Sequence, residues 1–527
     1  MSNELNKMRD LVLSGHLSRR DFMAGAAAVG ITASAASALL TSPAKAAPKK
    51  GGHFKIGIGS GSTTESLDPG AIDNTFPQQV NYATRNCLVD VDNEGNAVPN
   101  LAESVEASAD AKTWTVKLRK GVEFHNGKTM TADDVIASMN HHRGDDSKSA
   151  AKSVLDPVVE IKKDDDHTIV FELKEGNADF PYIISDYHLS IMPDGKWQEG
   201  IGTGGYVLES FEPGVKATFK KFGNYWRGDE RAHFDSIEVL SIKDVAARTN
   251  ALTSGEIHAM DRCDLKTVHL LKRNRKLNVH QVTGTQHYTI PMHVDVAPFN
   301  DVNVRQALKY SIDREAIVKT VLRGYGQVAN DHPISPANKY FNKDLPQRAY
   351  DPEKARYHLK KAGVDSINVD LSSADAAFAG AVDAAVLYKE HAAKAGININ
   401  VIREPNDGYW SNVWLKKPWC FCYWGGRPTE DWMFSIAYSK GAAWNDTHWE
   451  NERFNELLVQ ARAELNEDTR RAMYYEMQEL CSNDGGTVVP MYASYVFATA
   501  ANVGHDKFAS NWDLDGNKAL ERWWFDS

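Results

Sequence analysis

The stretch Tyr423-Trp-Gly-Gly-Arg-Pro-Thr-Glu-Asp431 follows an apolar run and combines paired glycines, proline and charge. A loop at a strand end presents side chains on a rigid support, which is where recognition residues are placed. Arg427 there offers a planar guanidinium fork suited to a carboxylate. Its alternative is an ion pair with Glu430 or Asp431 inside its own loop. Seven of the thirteen Trp lie between Trp410 and Trp449, with Tyr409, Phe421, Tyr423, Phe434 and Tyr438 among them. Half of such a set packs a core, and the rest is available as flat apolar surface for a ligand.

Catalytic patterns are absent. There is no H-E-x-x-H, no G-x-S-x-G elbow, no P-loop and no Cys/His set at zinc spacing. His141-His142 reads as a solvated pair at a helix end. Gly57-Ile-Gly-Ser-Gly61 lacks the third glycine of a dinucleotide fold, and Asp164-Asp-Asp166 is a polar turn. These residues point to no cofactor and no enzymatic role.

The chain begins with an export label. Ser18-Arg-Arg-Asp-Phe-Met23 is a twin-arginine motif, Ala24 to Leu40 is weakly apolar, and Ala44-Lys-Ala46 is a small-x-small cleavage signal. Residues 1–46 are therefore excluded from the fold, and a periplasmic location is expected. Those residues carry five Lys/Arg and three Asp/Glu, so their removal takes the net charge from −10 to −12. An acidic surface disfavours nucleic acid and anionic lipid as partners. Five cysteines make an odd count, and they read as small buried hydrophobes.

Strand and helix signals are mixed throughout, the α/β pattern. Trp114–Arg119, Thr168–Leu173 and Ile237–Ile242 alternate as half-buried strands, and Tyr288–Val294 is an apolar one. Helices are predicted after Asp301 and after Asp313, the second stopping at Gly324, and over 381–395, 452–465 and 467–480. Crossings near 297–303 and 485–489 divide the chain into two lobes. Lobe 1 is 51–292 plus 487–527, with a subdomain around 87–200, and lobe 2 is 293–486. Such an arrangement leaves a cleft that closes by hinge motion.

Three ordered blocks carry a resemblance. Leu101-Ala-Glu-Ser104 leads into Trp114-Thr-Val-Lys-Leu-Arg-Lys-Gly-Val-Glu-Phe-His-Asn-Gly127 and Thr131-Ala-Asp-Asp-Val135. Gly202-Thr-Gly-Gly-Tyr206, Gly223-Asn-Tyr-Trp226 and Ala251-Leu-Thr-Ser-Gly-Glu256 follow. Asn303-Val-Arg-Gln-Ala-Leu-Lys-Tyr-Ser-Ile-Asp-Arg314 is the third. From about Gly51 to Ser527 the chain resembles family 5 of the extracytoplasmic solute-binding proteins, which serve dipeptide, oligopeptide and nickel importers. The motifs themselves read as scaffold: turns and caps. The resemblance implies a large, three-domain, two-lobe periplasmic binding protein. As a monomer it would deliver a peptide-like or amino-acid-derived solute to an ABC permease and its ATPase subunits, after export by the twin-arginine translocase. Nickel, haem, opine or sugar binding on the same fold, or a periplasmic hydrolase, are the alternatives.

Two departures bear on the ligand. The resemblance places an ammonium-binding acid shortly after Trp424, where this chain has Arg427. It also puts Asp375, after strand Ile367–Leu371, near the position of a carboxylate-binding arginine. The two charges would then have exchanged places, with Arg427 taking a carboxylate and Asp375 an ammonium. The candidate ligand set is Arg427, Asp375, Trp424, Gly426, Trp410, Asp431, Thr75 and Phe76, with no metal ligands.

Overall fold

The computed structural model describes residue 48, residues 50–406 and residues 409–526. The export motif, its apolar stretch and the cleavage signal lie outside the described residues. The elements between His53 and Arg522 belong to one compact unit, Lys50–Trp524. Among the described residues no helix is long and apolar enough to cross a membrane.

A nine-stranded mixed sheet organises the unit. In spatial order it runs Cys422–Trp424, Leu277–Pro291, Thr487–Ala500, Ala259–Met260, His53–Ile58, Ser236–Ser241, Lys216–Lys221 and Tyr206–Glu212, with Gly326–Val328 also pairing to Thr487–Ala500. His53–Ile58 is parallel to Ser236–Ser241, with Ile56 opposite Val239. The strand expected at 288–294 is longer and earlier than predicted, covering Leu277–Pro291. Its first half is only partly buried, so no continuous apolar run announces it.

The region of the expected subdomain holds a four-stranded antiparallel sheet: Ala102–Ala107, Thr113–Leu118, Thr168–Leu173 and Val158–Asp165. Trp114, Val116 and Leu118 point inward while Thr113, Thr115 and Lys117 do not, the alternation legible in the sequence. Helix Ala132–His141 packs beside it through Val135 and Met139, with Thr131 and Asp134 forming a capping box. Phe124-His-Asn-Gly127 is the predicted turn, Gly127 donating to the Phe124 carbonyl at 2.9 Å with φ +83°. His141-His142 is not solvated as expected. His141 Nε2 lies 2.7 Å from Asp68 Oδ1, and buried His142 bonds the Ser149 hydroxyl at 2.6 Å.

The block Asn303–Arg314 proves to be scaffold with a specific task. Helix Val302–Tyr310, capped by Asp301, carries Lys309 to the end of helix Glu467–Asn483. There the Lys309 ammonium donates to the Cys481, Ser482 and Gly485 carbonyls at 3.1, 3.0 and 2.8 Å. Carbonyls at a helix end have no partner inside the helix, so a buried cation satisfies them. Arg305 donates to the Asp484 carbonyl at 2.7 Å, and Arg314 grips Asp331 with two contacts at 2.7 Å. Parallel strands Ile367–Ser373 and Ile397–Arg403 are joined through helix Ala381–Ala393, which ends before Gly396 as predicted. All five cysteines are free and buried.

Candidate functional site

The segment Trp419–Trp424 bridges the parallel pair Ile367–Ser373 and Ile397–Arg403 to the nine-stranded sheet. Phe421 N donates to the Ser372 carbonyl at 3.0 Å, and Cys422–Trp424 then pairs with Leu277–Pro291. Trp419, Cys420, Phe421, Cys422 and Trp424 are all buried, so the strand is fixed and the loop at its end is presented from a rigid base. Gly426 pulls that loop against the long strand. A Cβ there would sit 2.2 Å from Thr285 Oγ1, and the backbone has φ +76°. Only glycine meets both demands. Helix Glu430–Ala437 starts directly afterwards, with the Thr429 hydroxyl accepting from Trp432 N at 3.3 Å. Glu430 and Asp431 are therefore in a helical first turn, not in the loop.

Neither acid pairs with Arg427 in the structure. The Glu430 carboxylate accepts from Tyr340 N at 2.6 Å, and Asp431 is held by Arg462 at 3.1 Å. Arg427 has no ion pair among the described residues. Its Nη1 donates to the adjacent Gly426 carbonyl at 2.6 Å, and the rest of the guanidinium faces a cavity. Burial lowers its pKa below the ordinary arginine value, against the opposing pull of Tyr187 and Asp186.

That cavity has a volume of about 350 Å³, within the range of small-molecule sites. One wall comes from the segment after Trp424: Arg427 and Pro428 of the loop, Trp432 of the helix and Trp444 beyond its end. The other comes from distant sequence, with Tyr82, Asp90, Asp186, Tyr187, Trp512 and Lys518. Trp512 and Tyr187 meet edge to face at 6.3 Å, and Trp444 tilts against Trp424 at 6.1 Å. A second cavity of about 520 Å³ continues from it, sharing Ser153, Val154, Tyr182, Trp432 and Ile436.

The remaining cations of the first cavity are satisfied. Lys518 Nζ lies 2.6 Å from Asp90 Oδ1, and Arg522 pairs with Asp90 and Asp515 at 3.4 and 3.3 Å. Burial alone would raise the Asp90 carboxyl, but Lys518 and Arg522 hold it well below the usual range. Asp186 accepts from His188 N and from its ring on a single oxygen, Oδ1, at 2.9 and 2.6 Å. Its other oxygen has no hydrogen-bond partner among the described residues.

Of the eight sequence candidates, only Arg427 lines this cavity. Trp424 is buried behind it against Trp414 and Trp444, and Gly426 shapes the loop. Asp431 lines the adjoining cavity while paired to Arg462. Trp410 is 40% exposed among Tyr409, Trp414 and Tyr423. Thr75 and Phe76 open the buried helix Thr75–Thr84: the Thr75 hydroxyl accepts from Arg262 at 3.2 Å, and Phe76 stacks on Phe211. Asp375 is exposed and accepts from Val382 N at 3.4 Å. It is not brought into the cavity, because its side chain serves the start of helix Ala381–Ala393. The opposing acid is Asp186, for which no local sequence signal exists. Trp432 and Trp444 do fall within the aromatic stretch noted above.

A sequence profile of the bacterial extracellular solute-binding proteins, family 5, matches residues 96–446. The dipeptide-binding protein of Escherichia coli K12 is 26% identical over 445 residues, 76% of this chain and 81% of that one. The oligopeptide-binding protein AppA of Bacillus subtilis is 25% identical over 516 residues, 90% of this chain and 92% of that one. Among solved structures, HbpA2 from Haemophilus parasuis superposes with a TM-score of 0.78 at 20% identity, covering 88% of this chain and 99% of that one.

Proposed function

The chain belongs to the bacterial extracellular solute-binding proteins of family 5, and from that membership we propose that it captures a carboxylate-bearing, peptide-like or amino-acid-derived solute for an ABC importer. The observation that carries the ligand class is Arg427, a half-buried cation facing a cavity without an ion-pair partner among the described residues. A desolvated charge without a contacting counter-charge is costly, and a ligand carboxylate supplies one. Asp186 on the facing wall accepts an ammonium group, so a zwitterion spans the two. The printed names of relatives, dipeptide-binding and oligopeptide-binding, fit a solute with those two ends.

The walls come from the two lobes of the proposed division, 51–292 plus 487–527 and 293–486. A solute that touches both favours the closed form, since only differential contacts shift such an equilibrium. The closed protein then docks on the permease, and hydrolysis of ATP belongs to other subunits. Export by the twin-arginine route brings it to the periplasm, where it works as a monomer.

Calorimetric titration against dipeptides, amino-acid conjugates and dicarboxylates tests the reading. Arg427→Ala should weaken binding by about 2–5 kcal/mol, the cost of truncating one partner of a buried charged pair. The melting temperature of the unliganded protein should hardly move. Unchanged affinity in Arg427→Ala would remove the carboxylate anchor, and catalytic turnover of any peptide would remove the binding-only role.

A further inference from the structure

Two histidines and a carboxylate converge where the segment after strand Leu277–Pro291 meets the turn Asn445–Trp449. His293, Asp295 and His448 each offer one donor atom, and the three atoms lie within 4.8 Å of one another. His448 Nδ1 is 3.0 Å from Asp295 Oδ1, and the His293 and His448 rings stack with centroids 4.2 Å apart. None of the three residues lines the cavities described above. We propose that His293, Asp295 and His448 bind a divalent transition-metal ion of the zinc or nickel class, at a surface site separate from the solute cavity.

The donor set selects the ion. Two imidazole nitrogens and one carboxylate oxygen suit zinc, nickel, cobalt or copper, whereas magnesium and calcium take oxygen ligands. Metal–donor bonds of about 2.0–2.2 Å put neighbouring tetrahedral donors about 3.4 Å apart. The His448–Asp295 separation is already close to that, and small side-chain rotations bring in the third donor. His448 and Asp295 have room for this, with side chains 42% and 59% exposed. Buried His293 supplies the fixed floor. Three protein donors leave the outer face open to water or a further ligand.

The backbone holds the donors in place without the metal. Val294 N donates to the Thr447 carbonyl at 2.9 Å, and His293 N to the Pro418 carbonyl at 2.8 Å. Asn445 Nδ2 donates to the Trp449 carbonyl at 2.8 Å, and the Trp449 indole to Asp484 at 2.9 Å. Asn445, Thr447 and Trp449 are buried, so His448 is the residue this turn directs outward. It does so with φ +57°, a conformation that is costly for a residue with a Cβ and persists because its surroundings enforce it. A His448–Asp295 hydrogen bond explains two of the three side chains. The ring stack brings in the second imidazole, and a metal ion is what uses the three donor atoms together.

Chelator-stripped, untagged protein should be titrated calorimetrically with Zn²⁺ and Ni²⁺, and with Co²⁺ followed by visible absorption. One equivalent should bind. His448→Asn, which tolerates left-handed backbone, and Asp295→Asn should each weaken binding at least about tenfold. Both are exposed positions, so metal-free melting temperatures and solute affinity should stay at wild-type values. No stoichiometric uptake by the wild type, or wild-type metal affinity in both variants, overturns the site.

Discussion

Arg470 and Asp179, 291 positions apart in the chain, meet as a buried pair with two contacts at 2.8 Å. Beside them Ala178 N donates to the Arg462 carbonyl at 2.7 Å. These bonds tie the edge of the four-stranded-sheet region to the helices Glu452–Ala463 and Glu467–Asn483, along the rim of the second cavity. In the proposed two-lobe division they join opposite lobes and so belong to the closed form.

Arg470→Ala should therefore release closure rather than unfold the protein. An Asp179 left unpaired in the closed form would cost about 3–5 kcal/mol, but opening returns it to water. Small-angle scattering of the unliganded variant should show a larger radius of gyration, and solute affinity should fall as the closed population falls. A melting temperature lowered by many degrees at unchanged radius would place the pair inside a single lobe.

Asp186→Asn separates the two ends of the ligand. It should weaken solutes that carry an ammonium group and spare acids without one, while Arg427→Ala weakens both. Paired titrations with a dipeptide and its N-acetylated form read the difference. Equal losses for the two ligands would assign Asp186 to holding His188 and nothing more.

Gly426→Ala combines a left-handed backbone with a Cβ driven into Thr285. The backbone cost alone is about 1–2 kcal/mol. The loop carrying Arg427 must shift to relieve the overlap, so affinity should fall together with a lower melting temperature. A variant with wild-type affinity would show that the loop position does not set the Arg427 geometry.

Burial raises the Glu430 carboxyl to about 7, against the Tyr340 N–H that it accepts from. A folded pKa above the unfolded value means that protonation favours the folded state. The contribution is complete below about pH 4.3, the unfolded value, and is lost as pH rises through about 7. The difference amounts to about 4 kcal/mol at 1.36 kcal/mol per pKa unit. Urea unfolding at pH 5 and pH 8 should show wild type losing more stability than Glu430→Gln, which keeps an acceptor but no titrating group. Parallel losses in both proteins would mean that Glu430 is ionised at little cost.

Local rules were enough to read much of the fold from the sequence. Asp301 and Asp313 cap the helices that follow them, and Trp114, Val116 and Leu118 announce their strand by alternation. The glycine-rich loop after Trp424 was legible for the same reason, since its turn chemistry and its arginine are neighbours in the chain. Tertiary structure decided everything that depended on distant partners. It sent Glu430 to Tyr340 and Asp431 to Arg462, which left Arg427 facing the cavity. It kept Asp375 at a helix start and brought Asp186 and Trp512 to the opposite wall. It also set His448 beside His293 and Asp295, a convergence that no spacing in the sequence encodes. A side chain's nearest neighbours in sequence set its backbone, but its counter-charge is set by whichever segments packing brings within a few ångströms, and that is a property of the folded chain alone.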